Sequence, residues 1–464
     1  MGRDVMKVVQ KEIDVDTQRH ARRAVIASTV GSMIEWYDFY IYGLVAATVL
    51  GKLFFPQADP YSATLLSLST FFLGFVIRPV GAAIFGHFGD RIGRKGTLVS
   101  TLLLMGVSTV LVGLVPTYDQ VGIWGAVALT ILRLLQGFGV GGEWGGAVAV
   151  ATEWKSLDKK RGLAGSWPQF GSPLGLLLAL LVLSAVSRLG TNEWFETIGW
   201  RIPFLLSIVL IGVGFYIRIG IHETPAFKDM ERKGTVEKAP VAVAIKKYWR
   251  EILLVCGIRS GQHAAFYLFS TFVLSYGVGT LHISRDFLFN ALLLACAVSL
   301  ISVPTFGYLS DIIGRRSLYI IGAVTLGIFA FPYYAMLNSG NSIIIVLAIV
   351  MSIVVHDISY GPQPAFIAEA FPPEVRYSGS SLGYQLSSIT AGGPAPLVAT
   401  YLFHEYGTTL AVSIYLATLA SIAVVSAIFL PDTYRRNYNS AEVATDAKPA
   451  EVDVAIAPSP SLAR

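Results

Sequence analysis

Glu35, Asp38 and Tyr42 stand at i, i+3 and i+7 in a long apolar run, so they share one face if that run is helical. At about 1.5 Å per residue, Glu35 lies roughly 16 Å from the start of the run, near the middle of a bilayer core of about 30 Å. A bare carboxylate there costs at least about 2.5 kcal/mol by insertion scales. Each therefore needs a partner, a proton or a water-filled cavity, and reversible protonation is the chemistry on offer. Arg133, with Gln136 three residues on, lies at similar depth in another run. Its planar fork suits a carboxylate held by two hydrogen bonds, which makes it the expected partner. Arg259, His263 and Tyr267 follow at i, i+4 and i+8 in a third run. His356-Asp357 falls near the centre of a fourth, and Trp167-Pro168-Gln169 places an aromatic wall, a kink and an amide in a fifth. These types point to a site that exchanges a proton through Glu35 or Asp38 and holds an anion through the others, with Arg133 and Arg259 facing a cavity. The blander alternatives are that a carboxylate only pairs with an arginine between helices, and that a buried histidine is a satisfied structural residue.

The elements that must carry such residues are membrane-spanning helices. Apolar runs lie at about 24–50, 63–88, 97–115, 121–150, 163–187 and 200–217, then at about 251–278, 287–309, 317–336, 342–369, 378–403 and 408–430. Each is near or above the roughly 20 residues a spanning helix requires, so about twelve helices are expected, six plus six. The expected division is a polar cytosolic tail at 1–23, a first half at 24–217, a cytosolic central loop at 218–250, a second half at 251–430 and a disordered tail at 431–464. Residues 1–23 lack the apolar core and small-residue cleavage site of a removable signal. The last segment has no heptads, so no coiled coil is expected there.

The halves echo each other. Gly86-His-Phe-Gly-Asp90-Arg91-Ile-Gly-Arg94-Lys95 returns as Gly307-Tyr-Leu-Ser-Asp311-Ile-Ile-Gly314-Arg315-Arg316. Both stretches read as short charged loops whose glycines permit a tight reversal. Thr152-Glu153 with Arg161 is echoed by Ala368-Glu369 with Arg376, and Gly171-Ser-Pro173 by Gly392-Gly393-Pro394. The matching order implies internal duplication. Asp90 and Arg94, like Asp311 and Arg315, are placed to pair locally and with Glu153 and Glu369.

Composition narrows the class. The chain is 54% hydrophobic and only 14% charged, against about 25% in soluble domains. The net charge of +5 does not indicate nucleic acid, because the bases are confined to loops. Of 35 Lys and Arg, about 28 fall on the side of the N-terminus and about 4 on the other, while Arg78, Arg133 and Arg259 remain within the membrane. Both termini are therefore expected in the cytosol. Cys256 and Cys296 lie inside apolar runs and form neither a disulfide framework nor a metal spacing. The glycine-rich 139–146 run lacks the Lys-Ser/Thr ending of a phosphate loop and reads as a packing surface. No nucleophile, base and orienting group fall at usable spacing, so no enzyme is expected.

The repeated charged loop resembles the signature between the second and third helices of each half in the major facilitator superfamily. Glu35-Trp36-Tyr37-Asp38-Phe39-Tyr40, Arg78-Pro79-Val80-Gly81, Gln136-Gly137 through Glu143, Gly199-Trp200-Arg201-Ile202-Pro203-Phe204 and His222-Glu223-Thr224-Pro225-Ala226-Phe227 resemble its metabolite:proton symporter family. Within it, 165–173 and 200–218 look most like the shikimate transporter branch. The resemblance spans about Ala24 to Asp432. It implies an all-α carrier, monomeric, in a bacterial cytoplasmic membrane, that moves a small organic acid with a proton and needs no other cofactor. It also implies that Asp90, Arg91, Arg94, Glu153, Asp311, Arg315 and Glu369 form a cytosolic gate. A carrier of a zwitterion such as proline or betaine is the alternative, weakened by the missing coiled coil. A non-transporting solute sensor is a further one, and would be expected to carry a folded cytosolic domain.

Overall fold

The structure, a computed structural model, describes residues 2–58, 66, 69, 70, 72–154, 157 and 159–431. Among these, the regular elements are all helical. The frame is α1 (Gly2–Val45), α2 (Phe72–Ile92), α3 (Arg94–Leu114), α4 (Ile123–Thr152), α5 (Arg161–Ser187), α6 (Gly199–Ile219), α7 (Trp249–Gly279), α8 (Arg285–Ile313), α9 (Arg315–Leu337), α10 (Ser342–Ala368), α11 (376–406) and α12 (Thr409–Phe429). Ten of the twelve are long and apolar enough to cross a membrane. The other two are polar for a reason: α1 carries Glu35 and Asp38, and α11 is rich in serine. Large apolar side chains such as Trp124 and Ile301 stand exposed around the outside, as a lipid-facing surface requires. The tail from residue 432, expected to be disordered, lies outside the described residues, as do Lys155 of one basic cluster and most of the start of the second apolar run.

Two boundaries differ from the sequence expectation. Helix α1 does not begin near Ala24 but runs on to Gly2, because no proline or glycine interrupts residues 3–23. The repeated charged stretches are not loops. Helix α2 continues through Asp90 to Ile92, and α3 begins at Arg94, leaving Gly93 as the only break. Gly314 separates α8 from α9 in the same way. Their φ values of 116° and 105° are open to glycine and strained for any other residue.

Packing repeats across the halves. Helix α1 lies on α5 as α7 lies on α11, α2 on α4 as α8 on α10, and α3 on α6 as α9 on α12. Between halves, α5 runs against α8 and α2 against α11. Inside the first half, a Cβ on Gly137 would strike the Gly74 carbonyl and one on Gly141 the Arg78 carbonyl, so the glycine-rich stretch of α4 is a close-packing surface.

The halves are fastened at one face by a twofold-repeated set of bonds. Asp90, at the end of α2, accepts the backbone N–H groups of Tyr377 (3.3 Å) and Ser378 (2.8 Å) and the Ser378 hydroxyl (2.7 Å) in the first turn of α11. Asp311, at the end of α8, accepts the N–H groups of Gly162 and Leu163 (2.9 Å each) in the first turn of α5. Each carboxylate thus satisfies the orphan donors and positive end of a helix in the other half. Arg94 pairs with Asp90 (3.2 Å) and Glu153 (3.5 Å), and Glu153 with Arg376 (3.2 Å). Arg315 pairs with Asp311 (2.8 Å) and Glu369 (3.5 Å), and Glu369 with Arg161 (3.6 Å). Burial would raise the Glu153 carboxyl, but Arg94 and Arg376 outweigh it and hold the group below its usual range. Burial prevails at Glu369, which Arg315 and Arg161 only partly offset, so its carboxyl is raised. Arg91, expected in this cluster, is exposed and outside it, because it sits about 100° around the helix from Asp90.

Replacing Asp90 by Asn removes charge-assisted bonds worth about 1.5–3 kcal/mol from the fastened state. With Cys256 and Cys296 removed, Ser381→Cys reports opening, since Ser381 is buried on α11 against Gly145 of α4. An impermeant thiol reagent applied to this face should label it roughly tenfold faster or more in Asp90→Asn, with insertion unchanged. Equal labelling would reduce the cluster to a topological anchor.

Candidate functional site

The expected proton-handling residues meet two of the expected anion-binding residues, Arg133 and Gln136, in the middle of the first half. Glu35 and Asp38 of α1, Arg78 of α2, and Arg133 and Gln136 of α4 surround one narrow pocket with Phe39. Asp38 accepts hydroxyls from Ser207 on α6 (2.6 Å) and Thr109 on α3 (3.0 Å). Thr109 in turn accepts the Gln136 amide (2.6 Å), and Gln136 Oε1 accepts Arg133 (3.1 Å). A hydrogen-bonded line therefore joins Arg133 to Asp38 through two neutral side chains.

The structure corrects the pairing of Arg133 with Glu35. Glu35 makes no hydrogen bond or ion pair among the described residues, although the charges of Glu143, Arg78, Arg218 and Arg259 act on it. Arg133 instead lies over the rings of Phe39 (4.6 Å) and Tyr42 (4.2 Å). Arg78 lies over Phe39 (4.6 Å) and Phe75 (4.2 Å), so Phe39 has a guanidinium close to its ring from two helices. Ring faces carry partial negative charge and hold a cation without neutralising it.

In the second half, Arg259 donates to the Tyr384 carbonyl (2.8 Å) and to the hydroxyls of Ser387 (2.8 Å) and Ser388 (3.2 Å), and lies 2.9 Å from His263 Nδ1. Its guanidinium rests 3.3 Å from the centre of the Tyr384 ring. Tyr267 packs beside His263, at 5.4 Å between ring centres. His356 and Asp357 are not in this cluster. They border a separate small pocket with Ser172, Cys296 and Ser299, where Asp357 accepts Ser299 (2.7 Å) and Ser302. Gln169 is buried at the contact between halves, but Trp167 is only half-buried and packs on Phe170. The indole at the site is Trp144 of α4, which donates to Gln169 (3.1 Å) and stacks on Tyr384 at 3.7 Å.

A cavity of about 310 Å³ opens on the face opposite the fastened ends, where α7 gives way to α8 near Gly279 and Arg285. Phe39, Tyr40, Tyr267, Ser270 and Thr400 are among its walls. Arg133 and Arg259 do not reach it, contrary to expectation, because Phe39 and Tyr267 border it on their side. The helical turn widens by one residue beside this cavity just after α1, at Ala46–Leu50, and within α7, at Leu268–Phe272. Such widened turns displace side chains locally and recur at functional sites.

Sequence reasoning missed Thr109, Ser207, Tyr384, Gln262 and Gln363, whose types carry no signal. It also missed the buried pair of Arg218 with Glu143, for which Gly31 leaves room. Trp144 was within reach, since it stands eight residues after Gln136 on the same face of α4.

The description Major Facilitator Superfamily belongs to a family model that matches residues 29–393 and 264–456. An inner membrane metabolite transport protein, YhjE, of Escherichia coli K12 is 38% identical over 416 residues, covering 89% of this chain and 94% of that protein. The shikimate transporter of the same strain is 36% identical, covering 89% and 95%. Its proline/betaine transporter is 33% identical, covering 93% and 88%. Among solved structures, the proton:xylose symporter XylE shares the fold with a TM-score of 0.67 at 20% identity, covering 90% and 97%. With duplicated halves, fastened at one face and open at the other, the chain belongs to the Major Facilitator Superfamily and is a multi-pass membrane transporter.

Proposed function

We propose that this protein imports a small organic acid together with a proton by alternating access, as a monomer in a bacterial cytoplasmic membrane with both termini cytosolic. The observation that carries the reading is the set of buried guanidinium groups at mid-depth. Among the described residues, Arg78 lies on aromatic faces, Arg259 contacts an aromatic face, a histidine, a carbonyl and hydroxyls, and neither is in an ion pair, although the charge of Glu35 acts on Arg78. A carboxylate substrate supplies the charge these groups lack. The cationic loops of the fastened face support its assignment to the cytosol. On that assignment the cavity faces outward, and the ring layer of Phe39 and Tyr267 lies between an arriving solute and Arg133 and Arg259.

The proton belongs with Glu35 and Asp38. Glu35 has no fixed partner, and Asp38 lies at the end of the line that begins at Arg133. A proton taken from outside offsets the solute's negative charge as the loaded carrier reorients, and each elementary charge moved through 100 mV is worth about 2.3 kcal/mol. Release inside then frees the carboxylate for the return. The second reading is a zwitterionic solute. It is favoured by the unpartnered Glu35, which suits an ammonium group, and by the likeness to a proline/betaine transporter.

Two outcomes test the proposal in proteoliposomes. In Glu35→Gln and Asp38→Asn, accumulation driven by a pH gradient should fall tenfold or more, while at least one variant retains solute exchange, which needs no proton release. Parental accumulation in both would make these carboxylates structural. Arg133→Lys and Arg259→Lys keep the charge but lose the planar fork. Each should weaken carboxylate binding by about 1–2 kcal/mol, roughly five- to thirtyfold, at normal expression. Unchanged carboxylate affinity at both, with tight binding of a betaine, would establish the zwitterion reading instead.

A further inference from the structure

A chain of side-chain amides crosses the contact between the halves. Trp144 on α4 donates its indole N–H to Gln169 Oε1 on α5 (3.1 Å), and Gln169 Nε2 donates to Gln363 Oε1 on α10 (3.5 Å). Gln363 Nε2 donates to Gln262 Oε1 on α7 (3.3 Å), and Gln262 Nε2 meets Nε2 of His356, also on α10. His356 Nδ1 lies 2.9 Å from Asp357 Oδ1. Every member is buried. The longest link, Gln169 to Gln363, is the one that joins the halves.

A glutamine offers donors on one side and an acceptor on the other, so the chain has a direction. Its direction here requires His356 to be neutral, with its proton on Nδ1 toward Asp357 and Nε2 accepting from Gln262. A proton added at Nε2 turns that atom into a donor. Gln262 must then present its oxygen to His356, which forces Gln363 and then Gln169 to turn over. The turned Gln169 offers an NH₂ to the Trp144 N–H, and two donors cannot bond. Gln363 also gives up its donation to the Tyr319 hydroxyl (3.3 Å), which is itself committed to the Ile258 carbonyl (2.7 Å).

We propose that protonation of His356 reverses this amide chain and releases the indole of Trp144, so that a proton bound in the second half changes the contact between halves. The consequence reaches the anion site, because Trp144 stacks on Tyr384 and the Tyr384 ring carries the Arg259 guanidinium. The switch lies in the other half from the carboxylates of α1, and it does not depend on which solute is carried. The groups that bear on His356 come from every neighbouring element. They are Asp357 and Tyr360 on its own helix, Gln262, His263 and the Phe266 ring on α7, and Cys296 on α8, which borders the same small pocket. Asp357 is the carboxylate that balances the imidazolium, and the hydroxyls of Ser299 and Ser302 keep it in place.

The test uses the full chain in lipid nanodiscs without solute. The ultraviolet resonance Raman difference between the parent and Trp144→Phe isolates the indole N–H, and ¹⁵N-histidine NMR follows His356 among the seven histidines. As the pH is lowered over the range in which the ¹⁵N signal of His356 changes, the Trp144 N–H should pass from hydrogen-bonded to free. His356→Gln should lose that response, with the N–H bonded throughout. Gln363→Leu, which cuts the chain and leaves both ends intact, should lose it while His356 still titrates. The proposal is overturned if the parental N–H does not respond over this range, or if either variant keeps the response. Carboxylate binding to the same samples reports separately on the transport reading.

Discussion

A guanidinium removed from water must find its hydrogen bonds and its countercharge inside the protein, and this chain buries an unusual number of them. Arg94, Arg133, Arg218, Arg259, Arg315 and Arg376 are all nearly inaccessible. Two different solutions appear. Near the ends of the helices, Arg94, Arg315 and Arg376 are surrounded by carboxylates, and Arg218 is matched to Glu143. At mid-depth, Arg78, Arg133 and Arg259 are held by rings, a histidine, an amide, carbonyls and hydroxyls. The first solution neutralises charge and is costly to disturb. The second leaves Arg78 and Arg259 without an ion pair among the described residues, which is the place the proposed organic-acid solute would take.

The same constraint explains how the fastened face can be firm and yet release. Its carboxylates do more than pair with arginines. Asp90 and Asp311 each accept the first N–H groups of a helix belonging to the other half, so separating the halves exposes two helix ends and two carboxylates together. Those groups are short of partners only until water reaches them. Opening toward an aqueous compartment replaces the lost bonds, whereas opening within the bilayer would not. In the proposed transport cycle, release is therefore directed to the side where solvent waits.

Much of this frame was legible in the sequence, because duplication and run length are local patterns. The repeated Asp-x-x-Gly-Arg spacing marked the fastened face, and the twelve runs marked the helices. What escaped depends on contacts distant in sequence. Nothing near Asp90 says that its acceptors are wanted by Tyr377 and Ser378, nearly three hundred residues away. Arg91 looked equal to Arg94, and only the helical turn that carries it to the outside excludes it. Trp167 stands two residues before Gln169 in sequence, yet a helix turns neighbours apart and brings residues of other helices together, and the indole on Gln169 is that of Trp144. Arg218 falls at the start of the loop expected at 218–250, yet it is buried in the space that Gly31 vacates.

The fastened ends obey the twofold repeat, but the centre does not, and the asymmetry itself constrains how coupling works. The line from Arg133 through Gln136 and Thr109 to Asp38 lies wholly in the first half. Rocking of the halves in the proposed cycle leaves it intact, so on that reading protonation and anion contact on that side are linked within one body. Arg259 and its serines lie wholly in the second half. No hydrogen bond or ion pair joins Arg259 to the first half among the described residues. A ligand that touches both sets is thus bonded to two bodies at once, and its binding energy is available to draw them together. A ligand bound to one set alone has equal affinity for open and closed states and shifts nothing. On the proposed reading, with the proton on Asp38 and a carboxylate at Arg133, the drawing-together depends on the proton, because the charge at Asp38 alters the potential felt by whatever Arg133 holds.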